Sequence, residues 1–167
     1  FNPKLLAARL NVKEKQKEQG IVIKLSGLMF IVGFVIAGLD YRFNWFKLPI
    51  IVTYIASIIF IIGYIIFAEV LRENTYLSRT IKVEKDQQLI DKGLYKIVRH
   101  PMYFATILMF LSMPLVLGSI FSFVIFLIYP VLIAIRAVNE EKVLEKELNG
   151  YTDYKKKVRY RIIPFIW

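Results

Sequence analysis

The chain has no cysteine and a single histidine, His100. Without cysteine there are no disulfides, no thiolate nucleophile and no thiolate metal site. One histidine leaves little for a zinc or di-iron centre. Acidic residues are also scarce, 13 against 23 Lys and Arg, so the net charge is +10. Such a charge can mark a nucleic-acid binder, but 57% of the residues are hydrophobic, well above the ~45–50% of soluble domains. With a mean hydropathy of +0.53, the positive charge is better matched to anionic lipid headgroups than to nucleic acid. The length of 167 residues suggests one domain. The chain begins at Phe1, so no targeting segment is read from it.

What is present is a series of apolar runs. Residues 1–20 are polar and basic, and their spacing suits an amphipathic segment on a membrane surface or a solvated tail. Ile21 to about Leu39 then has the ~20-residue length of a bilayer crossing, with Lys24 near one end, where it can snorkel. Asp40 to Lys47 forms an aromatic connection, and Leu48 to Ala68 predicts a second crossing and a helical hairpin over 21–68. The section from Glu69 to His100 is polar, with Thr80–Glu84 alternating in a way that fits a short strand. Asp91-Lys92-Gly93 reads as a turn. Met102 to about Leu117 and Ser119 to about Val138 predict a third and a fourth helix, joined by a tight turn at Gly118. Pro130 lies inside the fourth, where it kinks a spanning helix or helps to open a cavity.

Charge placement tests this arrangement. The first tail carries five Lys and Arg, the 69–100 section seven and the region from Asn139 seven, whereas 40–47 carries two and 118–119 none. Four crossings put the three rich segments on one side, the pattern of a protein with both termini cytoplasmic. The expected fold is therefore all-α and integral to the membrane, with about four transmembrane helices, a tight C-terminal hairpin and a cytoplasmic C-terminal helix and tail. Its expected division is a basic segment 1–20, a first hairpin 21–68, and a functional region 69–167.

Two constellations stand out. The first is Gly93-Leu94-Tyr95 followed by Arg99-His100-Pro101-Met102-Tyr103. Pro101 suits the first turn of a helix and turns His100 extended just ahead of it. Helix N-termini favour anions, although Arg99, His100 and Tyr103 also suit a plain membrane-interface anchor. The second is Arg136, Asn139, Glu140 and Glu141, where the fourth helix returns to the same side. Arg136 and Glu140 are four apart on one helix face, and a tight hairpin brings both constellations together. A structural ion pair is the simpler reading of the second group. Beyond it, a charged helix ends at Asn149-Gly150, and a basic, tyrosine-rich tail finishes in Pro-Phe-Ile-Trp, suited to the headgroup region.

Taken in order, Gly93–Tyr95, Arg99–Tyr103, Glu140-Glu141, Leu148–Tyr154 and Val158–Pro164 resemble the isoprenylcysteine carboxyl methyltransferase family, whose pattern the phospholipid methyltransferases largely share. The resemblance covers about residues 80–167, with Ala105 where the family often has glycine. It implies an integral-membrane methyltransferase that uses S-adenosylmethionine, in keeping with the absence of a Gly-x-Gly-x-x-Gly fingerprint. Its methyl acceptor, lipidic or prenylated, would enter from the bilayer. By the same resemblance, Gly93, Leu94, Tyr95, Arg99, His100, Pro101, Tyr103, Glu140, Glu141, Tyr151 and Tyr154 fall on cofactor-binding positions. Arg136, Glu140 and Arg161 are the catalytic candidates: an arginine to hold a carboxylate acceptor, or a glutamate as base for an amine. A carboxyl O-methyltransferase is the favoured expectation. Phospholipid N-methylation, thiol S-methylation, a membrane reductase and a non-enzymatic lipid-binding adaptor are the alternatives. No metal site is expected, and the oligomeric state is left open.

Overall fold

A computed structural model describes residues 17–74, 76, 83 and 87–167. The expected amphipathic segment therefore lies outside the described residues except for its last four. The strand expected at Thr80–Glu84 does too, except for Val83. The described residues form helices and turns, with no strand among them. Helix α1 spans Lys17–Phe43, α2 Ile50–Glu73, α3 Pro101–Val116, α4 Ile120–Phe126, α5 Tyr129–Glu147 and α6 Tyr151–Lys157. A 3-10 turn, Gly93–Lys96, precedes α3.

Among the described residues, three stretches are long and apolar enough to cross a membrane: Gly20–Phe43, Ile50–Glu73 and Ile120–Glu147. The protein is thus integral to the membrane. Helix α1 extends past its expected apolar run at both ends, and α2 extends past Ala68 to Glu73. The third expected crossing, α3, has only 16 residues. At ~1.5 Å per residue it covers about 24 Å, short of the ~30 Å hydrocarbon layer.

The fourth expected crossing is a single span, Ile120–Glu147, bent just before Pro130. α4 ends at Phe126, and α5 begins at Tyr129 with Pro130 in its first turn. Pro130 has no N–H to continue the ladder, whereas bonds from Leu127 N to Phe123 O (3.1 Å) and Leu132 N to Ile128 O (3.2 Å) carry the chain through the bend. Ser119 caps α4 by accepting from Ser122 N at 3.2 Å. Ser122 Oγ in turn donates to Gly33 O at 2.8 Å, tying α4 to α1.

Packing does not follow chain order. Although six residues join α1 to α2, α2 packs chiefly on α3, and α1 on α4 and α5. The core holds Met29, Tyr103, Ile107, Phe126, Tyr129, Ile133, Ala137 and Ile162. Two glycines permit the close approaches. Gly33 lies against the Phe126 ring, and a Cβ at Gly63 would stand 2.9 Å from Met109 Cγ and 3.1 Å from Ala105 O. Ala105 is fully buried at this contact, so its departure from the family glycine falls in the α2–α3 interface. Adding side-chain bulk at such a contact costs ~1–3 kcal/mol. Gly63→Val is expected to lower the thermal unfolding temperature in detergent, and an unchanged transition would show that α2 and α3 are not held by this contact.

Candidate functional site

The site lies where the polar section meets the start of α3. Gly93 has φ +51°, a left-handed conformation that costs glycine little, and the Glu73 carboxylate sits where a Cβ would project. Glu73 accepts from Leu94 N at 3.0 and 3.2 Å. Its neighbour Asn74 donates Nδ2 to the Tyr95 hydroxyl at 2.9 Å. The end of α2 thus holds the turn that delivers Tyr95. From the other side, Tyr154 of α6 donates its hydroxyl to Tyr95 O at 2.7 Å.

Arg99 and His100 are fixed by main chain and by charge. Arg99 N donates to Tyr160 O at 3.0 Å and His100 N to Arg161 O at 2.8 Å, so the C-terminal tail runs beside the entry to α3. Pro101 is the first residue of that helix, and His100 O accepts from Tyr103 N and Phe104 N. Arg99 donates Nε to Glu141 Oε1 at 2.7 Å, and Nη1 to Val158 O (2.7 Å) and Arg159 O (2.8 Å). His100 Nε2 lies 3.2 Å from the same Glu141 oxygen; a carboxylate only accepts, so Nε2 carries the proton. Arg161 Nε donates to Glu141 Oε2 at 3.0 Å. Glu141 is only 2% exposed, and both its oxygens are taken by cations and a ring N–H.

In front of this cluster, the Tyr103 hydroxyl donates to Glu140 Oε2 and accepts from Arg136 Nε at 3.0 Å. The His100 ring stacks on Tyr103 with centroids 5.3 Å apart, and His100 Nδ1 lies 3.9 Å from Glu140 Oε2. A cleft of about 830 Å³, part of it open to solvent, lies over these groups. Of the residues named from sequence, Tyr95, Arg99, His100, Tyr103, Glu140, Tyr151 and Tyr154 line it, together with Asn74, Gln87, Gln88 and Met102. Tyr151 is buried, and its hydroxyl has no hydrogen-bond partner among the described residues.

The other named residues stand behind the cleft. Gly93 and Leu94 shape the turn on Glu73, Pro101 starts the helix, and Arg136 stands behind Tyr103, to whose hydroxyl it donates. Glu141 lies in the buried ion cluster. Arg161, expected beside Arg136 as a holder of carboxylate, is bound to Glu141, and its guanidinium stacks over Trp167 at 4.5 Å. The tail expected across the headgroups instead folds back: Ile162 is buried in the core, because its backbone supplies acceptors that Arg99 and His100 need. Glu73 and Asn74 were missed. The only sequence signal for them was their position at the end of an apolar run on the same side as Gly93.

The family model for phospholipid methyltransferases matches residues 51–149. The chain belongs to that family. The match runs from α2 to the end of α5 and takes in both constellations. Outside the family model, the chain is 31% identical over 121 residues to the Delta(14)-sterol reductase TM7SF2 of Mus musculus. That alignment covers 64% of this chain and 29% of the reductase, so the chain spans under a third of that relative's length.

Breaking a buried pair by removing one partner costs ~3–5 kcal/mol, since the remaining charges stay buried. Glu141→Ala is accordingly expected to cause a large drop in unfolding temperature. Asp153→Ala, which removes the exposed partner of Lys156, is expected to change nothing measurable. Equal small effects would show that the Glu141 cluster is solvated. Burial also pushes the phenols of Tyr95, Tyr151 and Tyr154 above their ordinary value of 10.0. A phenol whose value is raised by folding stabilises the protein below that ordinary value and loses the contribution as pH rises through the folded value. Thermal stability is therefore expected to decline above about pH 10, less so in Tyr151→Phe. A flat profile would contradict their burial.

Proposed function

We propose that this protein is an S-adenosylmethionine-dependent methyltransferase that acts on the polar head of a lipidic acceptor held at the membrane surface. The observation that carries the reading is the Tyr103 hydroxyl, set between Arg136 and Glu140 on the wall of a cleft whose far side is polar and whose helices are apolar. The cleft residues fit the cofactor's chemistry. Glu140 and the faces of Tyr95, Tyr103 and Tyr151 suit an ammonium and a sulfonium, Asn74, Gln87 and Gln88 suit hydroxyl and ring-nitrogen partners, and the unpartnered Tyr151 hydroxyl awaits a polar atom. When bound, S-adenosylmethionine supplies an activated methyl group on a sulfonium.

The protein's own part is positioning, worth up to ~7–11 kcal/mol where reactants are well oriented. Arg136 donates Nε to the Tyr103 oxygen, which turns the hydroxyl proton towards Glu140. A carboxylate acceptor needs no base, in line with the finer expectation of an isoprenylcysteine-type carboxyl O-methyltransferase. Of the two candidate arginines, Arg136 stands beside the cleft wall at Tyr103, whereas Arg161 is bound to Glu141. Glu140 favours a second reading: it lines the cleft whereas Arg136 does not, and it is placed to take the proton that a lipid amine must lose. Glu141 and Arg161 act as positioning residues, fixing Arg99 and His100. The three basic segments, and with them both termini, are assigned to the cytoplasm. Residues 69–167 are the cofactor-binding region, 21–68 the first membrane pair, and 1–20 a basic interfacial segment.

The deciding experiment is methyl transfer from labelled S-adenosylmethionine by protein in nanodiscs. N-acetyl-S-farnesylcysteine and dioleoylphosphatidylethanolamine are offered in parallel, and cofactor binding is followed by calorimetry. Binding with transfer to either acceptor supports the reading and selects the head group. Stabilisation by a reduced nicotinamide dinucleotide, without binding of S-adenosylmethionine, would favour a reductase, in line with the mouse relative. Tyr151→Phe is expected to weaken cofactor binding while leaving the unfolding temperature unchanged, since its hydroxyl makes no bond among the described residues. Tight binding retained in Tyr151→Phe would remove this residue from the site.

A further inference from the structure

We infer that a hook formed by residues 162–167 anchors the tail in an anionic leaflet beside the cleft, and so clamps the stretch that holds Arg99 and His100. The tail turns inward at Ile162, which is buried with Met29 and Ile133 of the membrane-spanning segments. It turns out again directly afterwards. Trp167 O accepts from Ile162 N at 2.9 Å and from Ile163 N at 3.0 Å, and Ile163 O accepts from Ile166 N at 3.2 Å and from Trp167 N at 3.1 Å. Phe165 lies at the tip of this closed turn with φ +65°, a left-handed conformation unfavourable for a bulky side chain. Such a conformation persists only where the surrounding bonds impose it. Here they hold two large apolar side chains outward: Phe165 is 83% exposed and Ile166 77%. Phe165 is three residues beyond Ile162, at most ~11 Å along an extended chain, so the tip stays close to the apolar layer.

The segment that leads into the hook is basic. Lys156, Lys157 and Arg159 are exposed, and Lys157 and Arg159 have no carboxylate partner among the described residues. The Tyr160 and Phe165 rings lie 5.4 Å apart, which keeps the apolar tip beside Arg159. Apolar bulk flanked by unpaired cations at the edge of the spans matches both layers of an anionic leaflet: acyl chains for Phe165 and Ile166, headgroups for Lys157 and Arg159. Between the basic segment and the hook runs the stretch that feeds the site. Val158 O and Arg159 O accept from the Arg99 guanidinium, and Tyr160 O and Arg161 O accept from the amides of Arg99 and His100. Arg161 is pinned between Glu141 and the Trp167 ring. Seating the hook fixes residues 158–161 at both ends, whereas releasing it lets a segment with few buried apolar contacts open locally.

Because the chain has no cysteine, single nitroxide labels can be placed at Phe165→Cys, Ile166→Cys and, on exposed α6, Asp153→Cys, in the full chain in nanodiscs. With equal parts of phosphatidylcholine and phosphatidylglycerol, labels at 165 and 166 are expected to collide several-fold more with oxygen than with a water-soluble nickel chelate, and the label at 153 the reverse. In phosphatidylcholine alone, labels at 165 and 166 should shift towards water. Hydrogen exchange at the Arg99 and His100 amides should then quicken several-fold, while amides of α2 around Gly63 stay as they were. Combining Phe165→Ser with Ile166→Ser should give the same faster exchange in the mixed discs. Labels at 165 and 166 that stay in water in the mixed discs overturn the anchor. Equal immersion in both lipids overturns its dependence on charge, and unchanged exchange at Arg99 and His100 overturns the clamp. None of these readouts needs a cofactor, so failure to bind S-adenosylmethionine removes the methyltransferase reading alone, and a failed anchor leaves that reading as it was.

Discussion

The carboxylate of Glu141 is buried on α5 and shared by Arg99, His100 and Arg161, and the geometry of the cleft follows from how its charge is met. A buried carboxylate is costly unless every lone pair is used. Meeting it draws Arg99 and His100 from the entry to α3 and Arg161 from the tail onto one point. Arg99 then needs acceptors for its remaining N–H groups and finds them on Val158 and Arg159. The tail is held against α3 by the same requirement, and His100 is left facing Glu140 and Tyr103.

This arrangement divides the labour between adjacent glutamates. Glu141 is spent on cohesion, whereas Glu140, one residue earlier and turned towards the cleft, keeps contact with Tyr103 and solvent. The helix makes the division: neighbouring residues point about 100° apart, so an acidic pair serves two environments. The ends of α2 and α6 complete the wall through Asn74, Tyr95 and Tyr154. A region contiguous in function is in this way assembled from four separate parts of the chain.

Much of the framework was legible in the sequence. Hydropathy marked the apolar runs, and Pro101 marked the start of α3, because a proline tolerates few other helical positions. The neighbourhood of Tyr103, Arg136 and Glu140 followed from the tight turn at Gly118, which returns α5 to the level at which α3 began. The sequence did not reveal that α1 and α2, consecutive and similar, pack on different partners, since an evenly apolar helix carries no mark of which face meets protein and which meets lipid. The bend before Pro130 was visible only as a proline, and kinked and interrupted helices share that signature.

The sequence by itself determined that the chain is helical and membrane-embedded, and which polar residues are gathered near one end of its helices, because burial of apolar length and backbone hydrogen bonding in lipid leave few alternatives. Only the tertiary structure decided their separate places. Glu73 under Gly93, the tail folded onto Arg99 and His100, and Arg161 turned away from the cleft are long-range contacts. Each is chosen by which buried charge or backbone group lacks a partner, and local periodicity carries no record of that.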